Sequence, residues 1–291
     1  MSALLWCADL GLDAVVIDQN SVAGGQLLAI HNPIKNHLGV AVENGRDLSE
    51  VFYQQLGDLS GRIILNERVN SIDPGPPVSV ELHSGRHLRA SAVIVATGVR
   101  RRRLDIPGES EFQGKGILES GSKERETVRG KRVVIVGGGD AALENALILA
   151  DFADNVTVVH RRDFFTARPE FQSAARERPN IHFQMNSRLV SINGGESVDT
   201  VTIEGPRGIE LIPAEAVLVR IGVRPNSEIL QDHADLDDRG YAIVDPSCRT
   251  SNSRIYAVGD VASPVAPTIS TAVGMAATAV KSIYALLKRG M

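Results

Sequence analysis

Gly137-Gly138-Gly139-Asp140-Ala141-Ala142 follows directly on the apolar run Val133-Val134-Ile135-Val136. The spacing is GxGxxA, and it falls where a strand gives way to a helix. Ala142, Leu143, Ala146, Leu147 and Ala150 recur at helical spacing and form one apolar stripe. Such a turn serves to hold phosphate. Gly137 permits the tight bend, Gly139 lets a pyrophosphate reach the backbone, and Ala142 allows close packing of helix on strand. The phosphates then meet the N–H groups at the helix start, around Asp140 and Ala141, where the helix dipole favours negative charge.

About 20 residues further on, sites for NAD place an acidic residue against the ribose 2'-hydroxyl. This chain has Val156-Thr157-Val158-Val159-His160-Arg161-Arg162 there. Two guanidiniums suit a 2'-phosphate, which a carboxylate would repel, so NADPH is expected over NADH. Arg168 follows within reach and either joins that phosphate or caps the next helix; His160 either stacks beside the adenine or ends the strand. No Cys or His spacing suggests a metal.

A second, partial site stands at the start of the chain. Ala3 to Leu12 reads as a helix and Asp13 to Asp18 as a strand ending in an acid suited to ribose hydroxyls. The strand and GxGxxG loop that should precede them are missing from the sequence. A doubly wound sheet needs that strand at its centre, so the natural chain is expected to begin upstream, with Met1 an internal methionine.

These sites need strands and helices in alternation. Val/Ile-rich runs at Ala14 to Ile17, Ala92 to Ala96, Val133 to Val136, Val156 to Val159 and Ala216 to Val219 predict an α/β chain with largely parallel sheets. Val78 to Leu82 before Ser84-Gly85, and Val198 to Ile203 before Pro206-Arg207-Gly208, predict antiparallel hairpins. Each half thus reads as a strand-helix-strand unit followed by a meander. The chain has 291 residues, 43% hydrophobic and 23% charged, which suits two globular domains. A formal net charge of -4 gives no reason to expect a nucleic-acid partner. No run reaches the roughly 18 apolar residues of a membrane span, and no signal peptide is legible. Cys7 and Cys248 stand alone, as in a reducing, cytoplasmic setting.

Further motifs make a family resemblance specific. Val22-Ala23-Gly24-Gly25-Gln26-Leu27 resembles the GGQL flavin loop of low-molecular-weight thioredoxin reductases, and Lys35-Asn36-His37-Leu38-Gly39 the segment after it. Ala96-Thr97-Gly98 resembles their ATG turn, and Ile255-Tyr256-Ala257-Val258-Gly259-Asp260 their second flavin motif. Gly222-Val223-Arg224-Pro225-Asn226 also matches, so the ordered set covers nearly the whole chain. The resemblance implies two Rossmann-like domains of three-layer ββα build, the NADPH domain (113–237) inserted into a discontinuous FAD domain (1–112 plus 238–291). It implies FAD on Asp18, Gly25, Gln26, Leu27, Asn36, Thr97, Gly98, Gly259, Asp260, Thr268 and Ile269. NADPH would lie on Gly137, Gly139, Asp140, Ala141, Ala142, His160, Arg161, Arg162, Arg168 and Gly222. A homodimer is implied too, with hinges near Leu104 to Phe112 and Asp235 to Tyr241 that let the NADPH domain rotate.

One departure redirects the chemistry. The family's CxxC positions fall on Ser120 and Lys123, which cannot form a disulfide, so no protein side chain is expected to be catalytic and the flavin carries the reaction. Hydride would pass from NADPH to FAD and on to an external acceptor, either a ferredoxin- or flavodoxin-type protein or a small disulfide. The chain ends soon after its last helix, which lowers the ferredoxin alternative. The rival reading is a non-catalytic redox sensor, or a truncated form unable to hold FAD. Glu124 is left without a thiolate to protonate, and the run Arg100 to Arg103 reads as a solvated crossover between domains.

Overall fold

Val133, Val134, Ile135 and Val136 are all buried. A strand apolar on both faces must be covered on both, and the surrounding unit does this with a different layer on each side. Its sheet has the order Ile181–Gln184, Asn155–Val159, Arg132–Gly137, Ala216–Arg220, Ile117–Leu118, with every pairing parallel. One face carries the helix Asp140–Ala150, whose Leu143, Ala146 and Leu149 are fully buried, together with the helix Pro169–Glu177. The other face carries an antiparallel meander of Arg188–Gly194, Val198–Gly205 and Gly208–Pro213 through Leu189, Ile192, Val201 and Ile203. This is the expected three-layer arrangement. From Arg132–Gly137 the chain steps outward to one side, while Ala216–Arg220 and Ile117–Leu118 lie on the other. The sheet therefore has a switch point between Gly137 and Arg220, which are opposite each other in register.

The computed structural model describes residues 1–290 and divides into two units, Met1–Arg100 with Arg224–Met291, and Arg101–Val223. The crossings thus fall at 100–101 and 223–224 rather than at 112–113 and 237–238. Side-chain packing accounts for the difference. Leu104, Ile106 and Phe112 join the meander-side core of the unit Arg101–Val223, whereas Leu230, Ala234 and Leu236 join a core of the discontinuous unit.

That discontinuous unit has a meander of Val69–Asp73, Val78–Leu82 and His87–Ala90 and two parallel strand pairs. Val16–Ile17 pairs with Ile63–Ile64, and Val93–Val95 with Ile255–Ala257; the described residues supply no strand joining the two pairs. Tyr256 is fully buried, and Ala276, Ala279 and Ile283 of the helix Ile269–Lys288 belong to the same core cluster. This 20-residue helix is long and apolar enough by composition to cross a bilayer. Its buried face is spent on that core, and the helix Ser2–Asp9 also packs against it.

Leu143→Ala removes a fully buried side chain between helix and sheet and should lower the unfolding free energy by about 2–5 kcal/mol in urea titration. A change below about 1 kcal/mol would show that the helix does not cover the sheet as described.

Candidate functional site

The glycine turn of the unit Arg101–Val223 is shaped by what surrounds it. Gly137 has φ +153°, and a Cβ there would lie 2.2 Å from the Arg220 carbonyl oxygen and 2.9 Å from Ala142 Cβ. A Cβ on Gly138 would lie 2.3 Å from the His160 ring. Gly139 is open by comparison, its nearest neighbour being Thr166 Oγ1 at 3.8 Å. Gly139 also serves as the N-cap of Asp140–Ala150, leaving the first-turn N–H groups of Asp140 and Ala141 outside the helix's own hydrogen bonding. Ala142 is fully buried, as its packing role requires.

The segment 160–168 holds this turn from outside. The Gly138 carbonyl accepts from Thr166 N at 2.8 Å, Ala167 N at 3.1 Å and Thr166 Oγ1 at 3.3 Å. Asp140 accepts from Arg168 N at 2.7 Å and from Arg168 Nε at 2.9 Å. His160 is 8% exposed, and its Nε2 lies 3.0 Å from the Phe164 carbonyl, to which the neutral ring donates. Burial pushes the His160 pKa down, and the nearby Arg162 and Arg161 add to the shift. Of the two roles open to His160, the strand-end role is the one observed, since the ring forms a wall behind Gly138. Of the two roles open to Arg168, contact with the 2'-phosphate or capping of the next helix, the structure places it at the N-cap of Pro169–Glu177. Its guanidinium is engaged by Asp140 and by Glu170 at 2.9 Å, and it lies over the Phe171 ring. Arg161 and Arg162 remain exposed, with no carboxylate within 4.0 Å among the described residues. Thr166 was missed from sequence, because its part depends on a contact 28 residues away.

Ser120 caps the short helix Gly121–Glu124, its Oγ accepting from Lys123 N at 3.4 Å. Glu124 acts on backbone here, accepting from Glu119 N and Ser120 N, each at 2.8 Å. Asn145 fixes the same turn by accepting from Gly121 N at 3.1 Å. Cys7 and Cys248 are both buried and free, and burial raises both thiol pKa values. Gly222, at φ +94°, is exposed and accepts from Arg102 N at 3.0 Å. The run 100–103 is not simply solvated: Arg100 pairs with Glu228, Arg101 donates to the Glu119 carbonyl, Arg102 to the Val223 carbonyl and Arg103 to Ser110.

In the discontinuous unit, Asp18 follows the strand Val16–Ile17 and accepts from Asn20 N and Nδ2, both at 2.9 Å. Gly24 and Gly25 take positive φ, so the GGQL loop needs glycine at both places. Gln26 Nε2 donates to the Val99 carbonyl at 2.5 Å, while Leu27 is buried among Ile34 and Leu48 and so serves packing. Thr97 and Gly98 form a turn closed by Asn226, through Thr97 Oγ1 to the Asn226 carbonyl at 2.6 Å and Asn226 N to the Gly98 carbonyl at 2.9 Å. Asn36 is exposed. Gly259, at φ +70°, brings its backbone against Ala272 of the last helix and sets Asp260 beside it. Asp260 makes no hydrogen bond among the described residues, and burial raises its pKa. Thr268 caps that helix by accepting from Thr271 N at 3.1 Å, so the N–H groups of Ile269 and Ser270 point outward.

The donor sets differ in how completely they fit a dinucleotide. The glycine turn, open helix N-terminus and unpaired Arg161 and Arg162 fit a phosphorylated dinucleotide throughout. In the discontinuous unit Asp260, an unpartnered half-buried carboxylate, fits a ribityl hydroxyl, and the 20-residue helix starting at Ile269 fits an anionic ring edge. The described residues of that unit include no glycine-rich strand-turn-helix for a pyrophosphate.

Comparison with known proteins follows the same lines. The model of the pyridine nucleotide-disulphide oxidoreductase family matches residues 1–279. A thioredoxin reductase of Treponema pallidum is 33% identical over 265 residues, covering 90% of this chain and 85% of the relative. One from Streptomyces clavuligerus is 31% identical, covering 89% and 82%. The crystal structure of Lactococcus lactis thioredoxin reductase superposes with TM-score 0.83 at 27% identity, covering 99% of this chain and 95% of that one. That from T. acidophilum gives 0.81 at 28% identity, covering 99% and 94%. The chain therefore belongs to the pyridine nucleotide-disulphide oxidoreductase family, whose thioredoxin reductase branch uses FAD and NADPH.

Proposed function

We propose that the chain takes hydride from NADPH, held by the unit Arg101–Val223, passes it to FAD held by the discontinuous unit, and delivers the electrons to an external acceptor without a protein dithiol of its own. The observation that carries this reading is the tie between the two nucleotide segments. The backbone of 137–140 and the segment 160–168 are bonded to each other through Gly138 and Asp140, which leaves Arg161 and Arg162, the latter over the Phe164 ring, without a carboxylate partner beside an open helix N-terminus. Flavin, when bound, supplies the step between a two-electron donor and either one- or two-electron acceptors. The chain's own residues bind and orient: Gly139 admits the pyrophosphate, Arg161 and Arg162 take the 2'-phosphate, Asp260 holds a ribityl hydroxyl, and Thr268 with Ile269 presents a helix start to the ring. Ser120 and Lys123 stand where the family's dithiol is expected, and both cysteines are buried. The acceptor is accordingly a redox protein or a small disulfide that brings its own redox centre. A homodimer in the cytoplasm accords with the family and the unpaired cysteines.

Replacing Arg161 and Arg162 together by Gln should weaken NADPH binding by about 10- to 100-fold and alter NADH binding by less than about threefold, since only the 2'-phosphate contacts are lost. Fluorescence titration with each nucleotide checks this, and equal losses for both would count against the assignment.

His160 gives a pH prediction. Its folded pKa is lowered from 6.5 by burial, so the unfolded chain takes up the proton first. Its contribution to stability is present above about 6.5 and lost as pH falls toward the depressed folded value. Thermal melts from pH 7.5 to 5.5 should show Tm falling with pH, less steeply in His160→Gln, whose amide can still donate to Phe164. Identical slopes would remove His160 from the account.

A further inference from the structure

Arg101 and Arg220 meet at the carboxyl end of the sheet in the unit Arg101–Val223. Arg220 ends the strand Ala216–Arg220, opposite Gly137 in register and across the switch point from Asn155–Val159. Arg220 Nη2 donates to the Glu119 carbonyl at 3.0 Å, and Arg101 Nη1 donates to that same oxygen. Arg220 Nη1 also donates to the Val219 carbonyl at 2.8 Å. Two positive charges thus share one neutral acceptor. Ion pairs in the run 100–103 belong to Arg100 and Arg103, and neither Arg101 nor Arg220 has a carboxylate within 4.0 Å among the described residues. Glu119 and Glu124 act on Arg101 only at longer range, and the Glu124 carboxylate is occupied by the N–H groups of Glu119 and Ser120. Burial together with the Arg101 charge pulls the Arg220 pKa down to about 10. Each guanidinium carries five N–H donors, so most of the donors in this pair have no protein acceptor.

The position suggests what they serve. With a 2'-phosphate at Arg161 and Arg162, beyond the strand Asn155–Val159, and the adenosine-side phosphate of the pyrophosphate at Gly139, the second phosphate and the nicotinamide half run across the switch point toward Arg220. We propose that Arg101 and Arg220 form a second anion site, binding a phosphate or carboxylate of a small ligand on the side of the glycine turn away from Arg161 and Arg162. The proposal rests on reading this unit as a dinucleotide site. The anion has two sources, the nicotinamide-side phosphate of the pyrophosphate or an acidic group on the small acceptor.

The test is calorimetric titration of the whole chain with 2',5'-ADP, nicotinamide mononucleotide and citrate. Arg101→Gln/Arg220→Gln should weaken binding of the mononucleotide, citrate or both by about tenfold or more, and leave 2',5'-ADP within about twofold; the Arg101→Lys/Arg220→Lys pair should recover part of the loss. Loss confined to the mononucleotide identifies the nucleotide's own phosphate, and loss of citrate a separate small acid. Unchanged binding of both probes to the Gln variant would overturn the proposal, as would failure of the wild type to bind either. A wild type that ignores 2',5'-ADP while the Gln variant loses citrate would remove the NADPH reading and leave the anion site standing.

Discussion

The approach of Gly137 to the end of the neighbouring strand is the constraint on which the nucleotide site depends. With Arg220 opposite it in register, any side chain at 137 would drive into the Arg220 carbonyl and the Ala142 methyl. That contact sets where the strand ends, where the helix Asp140–Ala150 begins, and so where its first N–H groups point. His160 repeats the constraint one residue later by filling the space beside Gly138. Turn and helix start are therefore built into the packing of the sheet rather than left to a mobile loop.

The ties around this turn are individually modest. Arg168 with Asp140 is an exposed ion pair, of a kind that contributes about 0–1 kcal/mol. Their value is geometric. Three donors converge on the Gly138 carbonyl and two on Asp140, so the segment with Arg161 and Arg162 cannot move without the turn that would hold the pyrophosphate. A ligand that bridges both segments meets them already arranged, which lowers the ordering cost of binding.

Much of this was legible in the sequence, because it lies in local pattern. The Val133–Val136 run, the GxGxxA spacing and the helical stripe are consecutive residues, and the hairpin turns at Ser84-Gly85 and Pro206-Arg207-Gly208 came where expected. What escaped depends on contacts between distant residues. His160 and Arg168 are polar residues after a strand, and only the fold shows that one is a buried wall and the other is held by Asp140. The unit boundaries moved because Leu104 and Leu230 chose their cores by packing, which no composition change marks. Arg101 and Arg220 lie far apart in the chain, and nothing in sequence pairs them. With both cysteines buried, these guanidiniums join Lys123, Glu119 and Glu124 as charged groups beside the turn where a dithiol would otherwise be sought.

The central claim is electron transfer from NADPH through FAD in a chain without a redox dithiol. Its most direct test is the visible absorption spectrum of the purified chain supplied with FAD, recorded anaerobically before and after NADPH. The account predicts protein-bound flavin bands that bleach with NADPH and return when an external acceptor is added. A chain that binds NADPH but retains no flavin, or whose flavin bands are untouched by NADPH, would contradict it.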